Sequence, residues 1–280
     1  MILLTIRRAA ALSLFGLAAA CTANRGSTPP TTLPADVNTA RTRLSESPRH
    51  GEWVMIGAGT DSVRAWIAYP ERKTKAPVVV VVHEIYGLTP WIRSVADQLA
   101  ADGFIAVAPD LLTSKNLPNP TDSVPASLAT AAIRTLDMND VHRQISAAAE
   151  YAMALPAALP RYGIVGFCWG GSVSFEHAVR SAKLGASVVY YGSSPPSASL
   201  GSVSAPVLGL YGGNDARVNV SVPPADSAMK ALNKTFSHHI YQGAGHGFLR
   251  QQAGQEGANM TATQQAWPAT IAWFRRHLGA

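Results

Sequence analysis

Residues 164–171 read Ile-Val-Gly-Phe-Cys-Trp-Gly-Gly. The apolar residues predict a short strand over 164–167, and a helix is predicted over 171–183. Between them, glycines stand two residues before and two residues after Cys168. A tight turn needs this spacing because larger side chains would clash there. We therefore expect the Cys168 thiol at the end of a strand and at the N-terminus of a helix, where the dipole lowers the pKa of a thiol.

Strands and helices alternate on both sides of this turn. Five valines at 78–82 predict a strand that is buried on both faces of a parallel sheet. Further strands are predicted over 65–69, 104–108, 187–191, 207–211 and 238–241, and further helices over 89–103, 141–155, 223–233 and 262–277. The polar residues 110–130, with three prolines, are predicted to form a loop or small lid. The order predicts one α/β domain over 50–280, with a mostly parallel central sheet and helices on both faces in three layers.

Two other predicted strands end in residues with acid–base chemistry. Asp215 follows the strand at 207–211, and His246 lies in a glycine-rich loop after the last strand. Asp110 also ends a strand, but it precedes the cysteine and is the weaker candidate. The order Cys168, Asp215, His246 is the nucleophile–acid–base order of the α/β-hydrolase fold, which we therefore predict.

The loop after the valine strand reads His-Glu-Ile-Tyr-Gly over residues 83–87. In this fold, that loop supplies one backbone N–H of the oxyanion hole, and the residue after the nucleophile supplies the other. We expect Ile85 and Trp169 to be these two donors. His238 and His239 lack the further ligands of a zinc site, so neither a metal nor an organic cofactor is expected.

Four stretches together resemble the dienelactone hydrolase family: Val-Val-His-Glu-Ile-Tyr-Gly-Leu, Asp-Gly-Phe-Ile-Ala-Val-Ala-Pro-Asp-Leu, Gly-Phe-Cys-Trp-Gly-Gly and Gly-His-Gly-Phe. The resemblance implies a carboxymethylenebutenolidase-like esterase with a Cys-His-Asp triad. It also implies that Glu84 holds the resting thiol and accepts its proton when substrate arrives.

The same resemblance implies a substrate site that binds a carboxylate. Arg250, four residues after His246, matches one arginine of that site, and we expect Tyr86 and Trp169 to line the site. The second arginine of the family has no counterpart in residues 123–132, which hold neither Arg nor Lys. This departure counts against a dienelactone substrate more than it counts against the hydrolase chemistry.

The first twenty residues predict a signal peptide. Arg7 and Arg8 precede twelve nearly apolar residues that end in three alanines. Cys21 follows in an imperfect lipobox, so lipidation at Cys21 stays open beside simple cleavage, and the arginine pair leaves twin-arginine export open. Residues 21–49, rich in Thr, Ser, Pro and Arg, are predicted to form a flexible tether. We expect an exported bacterial protein that is periplasmic or anchored to the membrane by lipid.

Composition excludes several classes of protein. The chain has 280 residues, of which 47% are hydrophobic and 14% charged, so it is neither wholly disordered nor a small disulfide-stapled fold, for which two cysteines are too few. The net charge of +6 is mild and unclustered, so nucleic acid is not an expected partner. We expect a monomer that cleaves a small lactone or ester. A broad-specificity exported carboxylesterase or thioesterase and a non-catalytic surface lipoprotein stay open as alternatives.

Overall fold

The valines of residues 78–82 lie in the centre of an eight-stranded sheet. The computed structural model describes Met1, residues 32–118 and residues 124–279. Within these ranges, the strands are β1 (Gly51–Ala58), β2 (Asp61–Ala68), β3 (Ala76–Val82), β4 (Ile105–Pro109), β5 (Ala158–Phe167), β6 (Ala186–Tyr190), β7 (Val207–Gly212) and β8 (Phe236–Tyr241). Their order is β1-β2-β4-β3-β5-β6-β7-β8. Only the pairs β1–β2 and β2–β4 are antiparallel; the other pairs are parallel.

Successive valines of β3 face opposite sides of the sheet, as strand geometry requires. The helices are α1 (Ala40–Ser45), α2 (Pro90–Ala101), α3 (Ala126–Ile133), α4 (Met138–Met153), α5 (Trp169–Arg180), α6 (Ala216–Asn219), α7 (Val222–Ala231) and α8 (Ala258–Leu278). Val78, Val80 and Val82 share a core with α4, α5 and α7. Val79 and Val81 share a second core with α1, α2 and α8. The predicted three-layer α/β architecture with a mostly parallel sheet is thus confirmed.

Helix ends follow the local chemistry of the sequence. The Thr89 hydroxyl accepts a hydrogen bond from the Ile92 N–H at 3.5 Å, and the Asp137 carboxylate accepts one from the Asn139 N–H at 2.7 Å, so these side chains cap α2 and α4. Strand β1 was not among the predicted elements. Most of its residues are partly exposed at the sheet edge, so its sequence lacks the apolar run of a central strand.

Residues 32–49 pack against the α2 face of the sheet instead of forming the expected flexible tether. The Trp91 indole donates to the Ala35 carbonyl at 3.0 Å, and the Gln252 backbone N–H donates to Asp36 at 2.9 Å. Arg49 binds Asp97 through two of its nitrogens, the nearer at 2.6 Å. The prediction was wrong here because a few apolar residues, spaced without periodicity, find partners that are remote in sequence. The folded body therefore begins by residue 32 rather than at 50.

Other predictions about the N-terminus fall outside the described residues. The signal peptide over 1–20, apart from Met1, and Cys21 lie in residues 2–31, which the structure does not describe. None of the described helices combines the length and apolarity that a membrane crossing requires.

The segment expected to be a loop or lid contains helix α3 in its described part. Ala129 and Ile133 of α3 pack with Leu112 in a small separate core. The side chains of Ile85 and Trp169 lie against this core. The segment therefore supports the two loops that meet at the carboxyl ends of β3 and β5.

A buried histidine pair joins α4 to α5. The Nδ1 atoms of His142 and His177 are 3.1 Å apart, and the Tyr162 hydroxyl lies 3.0 Å from His177 Nε2. Glu176 lies 3.7 Å from His142 Nε2, and Arg180 acts on both rings. Burial, reinforced by Arg180, lowers the pKa of His142 to about 4. Burial, His142 and Arg180 together lower the pKa of His177 to about 3.

We predict that the free energy of unfolding falls as the pH drops from about 6.5 towards 4. In that range, histidines of the unfolded chain bind protons, whereas the buried pair stays neutral. The free energy of unfolding therefore falls by up to about 1.4 kcal/mol per pH unit for each histidine. His142→Gln should reduce this slope, whereas His239→Gln, at an exposed position, should not. Urea unfolding at pH 7.5, 6 and 5 measures the slope. Equal slopes in wild type and His142→Gln would contradict the prediction.

Candidate active site

Cys168 stands at the turn between β5 and α5 with φ 56° and ψ −117°. A positive φ is uncommon outside glycine and costs of order 1–3 kcal/mol. The turn is tight because two glycines allow backbone to approach backbone. A Cβ on Gly166 would lie 1.8 Å from the Gly170 carbonyl oxygen, and one on Gly170 would lie 2.4 Å from the His83 carbonyl oxygen. The fold therefore holds the thiol at the carboxyl end of β5.

His83 fixes the loop that follows β3. Its ring Nδ1 lies 2.7 Å from the Glu84 carbonyl oxygen, and its Nε2 accepts the Leu111 N–H at 3.2 Å. The ring also stacks on Trp169 with centroids 5.7 Å apart. Of the two N–H groups predicted for the oxyanion hole, that of Ile85 makes no hydrogen bond to a group in residues 32–118 or 124–279, whereas that of Trp169 is directed at the Cys168 thiol. The Ile85 N–H is therefore available to a substrate oxygen.

Asp215 and His246 meet at the ends of β7 and β8. The His246 ring Nδ1 lies 2.5 Å from the Asp215 carboxylate. Asp215 is buried, whereas the side chain of His246 is 34% exposed and packs edge-on against Tyr191 with ring centroids 5.1 Å apart. A carboxylate on Nδ1 leaves Nε2 as the ring nitrogen that can exchange a proton with a reactant. Asp110, the weaker candidate acid, instead binds Arg64 at 2.6 Å.

The resting thiol is held in its neutral form. Burial, together with the charge of Glu84, raises the pKa of Cys168 to about 11, while the Trp169 backbone N–H and Arg217 act in the opposite direction. The expectation that the thiol pKa is lowered at the helix N-terminus is therefore wrong. Burial and the Glu84 carboxylate raise this pKa by more than the helix N-terminus lowers it. Within the described residues, the thiol makes no hydrogen bond to the His246 ring.

Buried Glu84 and partly buried Arg250 form an ion pair beside the thiol. Arg250 Nε lies 3.2 Å from a Glu84 carboxylate oxygen, although the two groups are not aligned for a hydrogen bond. Burial raises the pKa of Glu84 to about 7, and Arg250 opposes this shift. The Arg250 guanidinium also lies 5.0 Å from the centroid of the Tyr86 ring. The predicted residues Glu84, Tyr86 and Arg250 are thus neighbours, with the charge of Arg250 already directed at Glu84.

Two cavities open beside these groups. The nucleophile cavity, about 330 Å³, is lined by Ile85, Cys168, Trp169, Ser172, Tyr191, Ser193, Arg217 and Val218. The Arg250 cavity, about 280 Å³, includes Tyr86, Asp110 and Arg250 with Val37 and Arg41 of the N-terminal segment. Both volumes suit small molecules rather than polymers.

Sequence reasoning missed five residues that line the nucleophile cavity: Ser172, Tyr191, Ser193, Arg217 and Val218. Tyr191 directly follows β6 with φ 41°, and its buried hydroxyl has no hydrogen-bond partner among the described residues. Arg217 stands two residues after Asp215. The Tyr-Tyr-Gly ending of a predicted strand could have pointed to Tyr191, but no pattern in the sequence distinguishes Arg217 from a surface arginine. In the parts of the chain that the structure describes, no three His, Cys, Asp or Glu side chains are grouped as metal ligands.

The fold agrees with comparison to known proteins. A sequence model of the dienelactone hydrolase family matches residues 63–278. The chain belongs to the dienelactone hydrolase family. It is therefore a hydrolase.

Relatives cover most of this dienelactone hydrolase family member. It is 30% identical over 268 residues to a "Putative carboxymethylenebutenolidase" of Salmonella typhimurium, and the alignment covers 89% of this chain and 98% of the relative. It is 30% identical over 240 residues to a "Probable 2-oxo-3-(5-oxofuran-2-ylidene)propanoate lactonase" of a Bradyrhizobium species, covering 81% of this chain and 94% of the relative. A crystal structure titled as a "Putative Dienelactone Hydrolase" of Klebsiella pneumoniae superposes with a TM-score of 0.73 at 28% identity, covering 81% of this chain and 99% of the other.

We predict that Gly166→Ala destabilises the protein by about 3 kcal/mol or more, because the new Cβ meets backbone that cannot move without opening the turn. Gly201→Ala is the matched control, since a Cβ there meets nothing within 4 Å. Urea unfolding of both variants gives the comparison. Similar losses in the two variants would show that the close approach at Gly166 is not needed.

Glu84→Gln should lower the pKa of the Cys168 thiol, because it removes a negative charge that raises it. Alkylation of Cys168 by iodoacetamide at pH 8 should then be about tenfold faster, which corresponds to one pKa unit. Mass spectrometry of the Cys168 peptide separates this reaction from that of Cys21. Glu71→Gln, at an exposed position, should leave the rate unchanged. A slower or equal rate in Glu84→Gln would contradict the electrostatic interpretation.

Proposed function

We propose that this protein hydrolyses a lactone or small carboxylic ester through an acyl-thioester on Cys168. The observation that carries the proposal is the thiol on its strained turn, in one cavity with Ile85 and Trp169, while the His246–Asp215 pair packs against Tyr191 of the same cavity. A nucleophile, two N–H donors beside it and an oriented imidazole are the parts that acyl transfer needs.

The first half of the reaction forms the thioester. The thiol gives up its proton and the sulfur attacks the carbonyl carbon, so the carbonyl oxygen becomes an oxyanion. The N–H groups of Ile85 and Trp169 bind this oxygen, and each such donor contributes about 3 kcal/mol to the transition state. The tetrahedral intermediate expels the alcohol oxygen, which takes up, through His246, the proton that the thiol gave up. In a lactone, the alcohol remains attached to the acyl group.

The second half releases the acid. His246 Nε2 removes a proton from water, and the resulting hydroxide attacks the thioester carbonyl. The Asp215 carboxylate on Nδ1 holds the ring in orientation and stabilises the imidazolium that forms. The second tetrahedral intermediate expels the Cys168 thiolate, which takes from His246 the proton that came from water and completes the cycle.

Formation of the thiolate is the step that the resting site opposes. With a thiol pKa near 11, about one thiol in ten thousand is ionised at pH 7. Glu84, with a pKa raised to about 7, is the buried carboxylate able to take the proton. Because Arg250 opposes that rise, a substrate group that draws Arg250 away makes Glu84 a stronger base. We propose that the thiolate therefore forms mainly when substrate is bound.

The substrate class is supported by the relatives. Their names describe enzymes of lactone cleavage, a carboxymethylenebutenolidase and a 2-oxo-3-(5-oxofuran-2-ylidene)propanoate lactonase. A broad-specificity carboxylesterase or thioesterase is the alternative, favoured by the absence of Arg and Lys from residues 123–132. Hydrolysis rates of cis and trans dienelactones against short p-nitrophenyl esters separate the two. A preference for dienelactones supports the narrow function, and equal rates support the broad one.

We predict that Cys168→Ala lowers kcat/KM on any accepted ester or lactone by about 10³-fold or more, because no thioester can form. Cys168→Ser should fold normally and retain little turnover, because a hydroxyl needs a stronger base than a thiol. Circular dichroism checks folding, and initial rates check turnover. Activity that survives Cys168→Ala would overturn the proposed nucleophile.

We also propose that the protein is exported, which rests on the sequence of residues 1–21. The intact mass of the mature protein tests this. A chain beginning at Cys21 with added lipid mass indicates a lipoprotein, and an unmodified chain shortened near residue 20 indicates a soluble periplasmic form. A full-length chain in the cytoplasm would contradict export.

A further inference from the structure

The wall of the nucleophile cavity includes a positively charged side chain, that of Arg217, which has no role in the reaction steps described above. Arg217 lines this cavity together with Cys168, from the short helix α6 that follows Asp215. Its guanidinium makes no hydrogen bond or ion pair with any group in residues 32–118 or 124–279. Arg250 differs, since its charge is held by Glu84. On the side of the cavity where Arg217 lies, the positive charge is therefore not paired with a carboxylate of the described residues.

A second feature of the same cavity also points to a ligand. The Tyr191 hydroxyl is fully buried, and no described residue accepts or donates a hydrogen bond to it. Leaving a buried hydroxyl without a partner costs about 1–3 kcal/mol, so such a group in a cavity wall indicates that a bound molecule or water completes it. Ile85, Trp169 and Val218 provide the apolar part of the wall.

Stability does not account for Arg217. The side chain is exposed and contributes no ion pair within the described residues, and a cation beside a four-residue helix stabilises it little. Its charge does reach the nucleophile, because Arg217 is one of the groups that favour the Cys168 thiolate. The thiol and the guanidinium are thus close enough for one small molecule to contact both.

We propose that Arg217 is a specificity residue that binds an anionic group on the acyl part of the substrate. The inference rests on the proposed function and deepens it, since it selects lactones and esters whose acyl chain carries a carboxylate. The carboxylate lies on Arg217 while the carbonyl carbon lies at the Cys168 sulfur and the apolar wall encloses the carbons between them. The Tyr191 hydroxyl donates to an oxygen of the same acyl group.

Two esters that differ only in charge test this proposal. Mono-p-nitrophenyl succinate carries a free carboxylate, and its methyl ester is the neutral match. Arg217→Gln should lower the kcat/KM ratio of the anionic to the neutral ester by about five- to tenfold, because a charge-assisted hydrogen bond is lost. Arg217→Lys should retain part of the ratio. Using a ratio cancels any change in thiol reactivity that both esters share.

Arg161→Gln is the control for a loss of one positive charge, since Arg161 is exposed on the fold outside both cavities. It should leave the ratio unchanged within about twofold. If Arg217→Gln also leaves the ratio unchanged, or if Arg161→Gln lowers it equally, the proposal is wrong.

A binding measurement separates this proposal from the proposed function. Succinate and glutarate should slow the alkylation of Cys168 by iodoacetamide in wild type and much less in Arg217→Gln. If neither ester is hydrolysed through Cys168 but this protection depends on Arg217, the anion site stands and the proposed reaction fails. If hydrolysis depends on Cys168, but neither the kcat/KM ratio nor the protection from alkylation changes in Arg217→Gln, the proposed reaction stands and the anion site is wrong.

Discussion

The approach of the turn after β5 to the end of β3 is the constraint on which the site depends. At Gly166 and Gly170, backbone atoms occupy the space where a Cβ would stand, so the chain can pass only as glycine. That approach places the N–H of Trp169 beside the loop that carries Ile85, and His83 locks the same loop by hydrogen bonds to Glu84 and Leu111. The strain at Cys168 is sustained because the sheet and α5 hold both sides of the turn.

Burial then determines the electrostatics of the site. The thiol and Glu84 both lie where charge is poorly solvated, and each therefore prefers its neutral form more than it would in water. Charge enters this region mainly with partners: Asp215 with His246, and Glu84 with Arg250. A resting site of this kind keeps its thiol protonated, which also limits oxidation of that thiol, since the thiolate is the form that oxidises readily.

The N-terminal segment belongs to the catalytic domain rather than to a separate linker. Its residues 32–49 pack on α2, and Val37 and Arg41 reach the wall of the Arg250 cavity. The Val37 backbone N–H donates to the Arg250 carbonyl at 2.9 Å, and Asp36 accepts the N–H of Gln252. The segment thus helps to hold the loop that carries His246 and Arg250, although it precedes the first strand of the sheet.

Among the described residues, sequence alone determined every strand except β1, the five longest helices and the order of the reactive residues, because these depend on local signals. Consecutive valines, glycine spacing around Cys168 and the capping residue Thr89 act within a few positions of the chain. The tertiary structure decided what depends on remote contacts: the packing of residues 32–49, the edge strand β1 and the placement of Arg217 and Tyr191 in the nucleophile cavity. The tertiary structure also decided the protonation of Cys168. The effect of the helix N-terminus on the thiol pKa is local and visible in sequence. The burial and the Glu84 charge that outweigh this effect arise only when distant segments fold together.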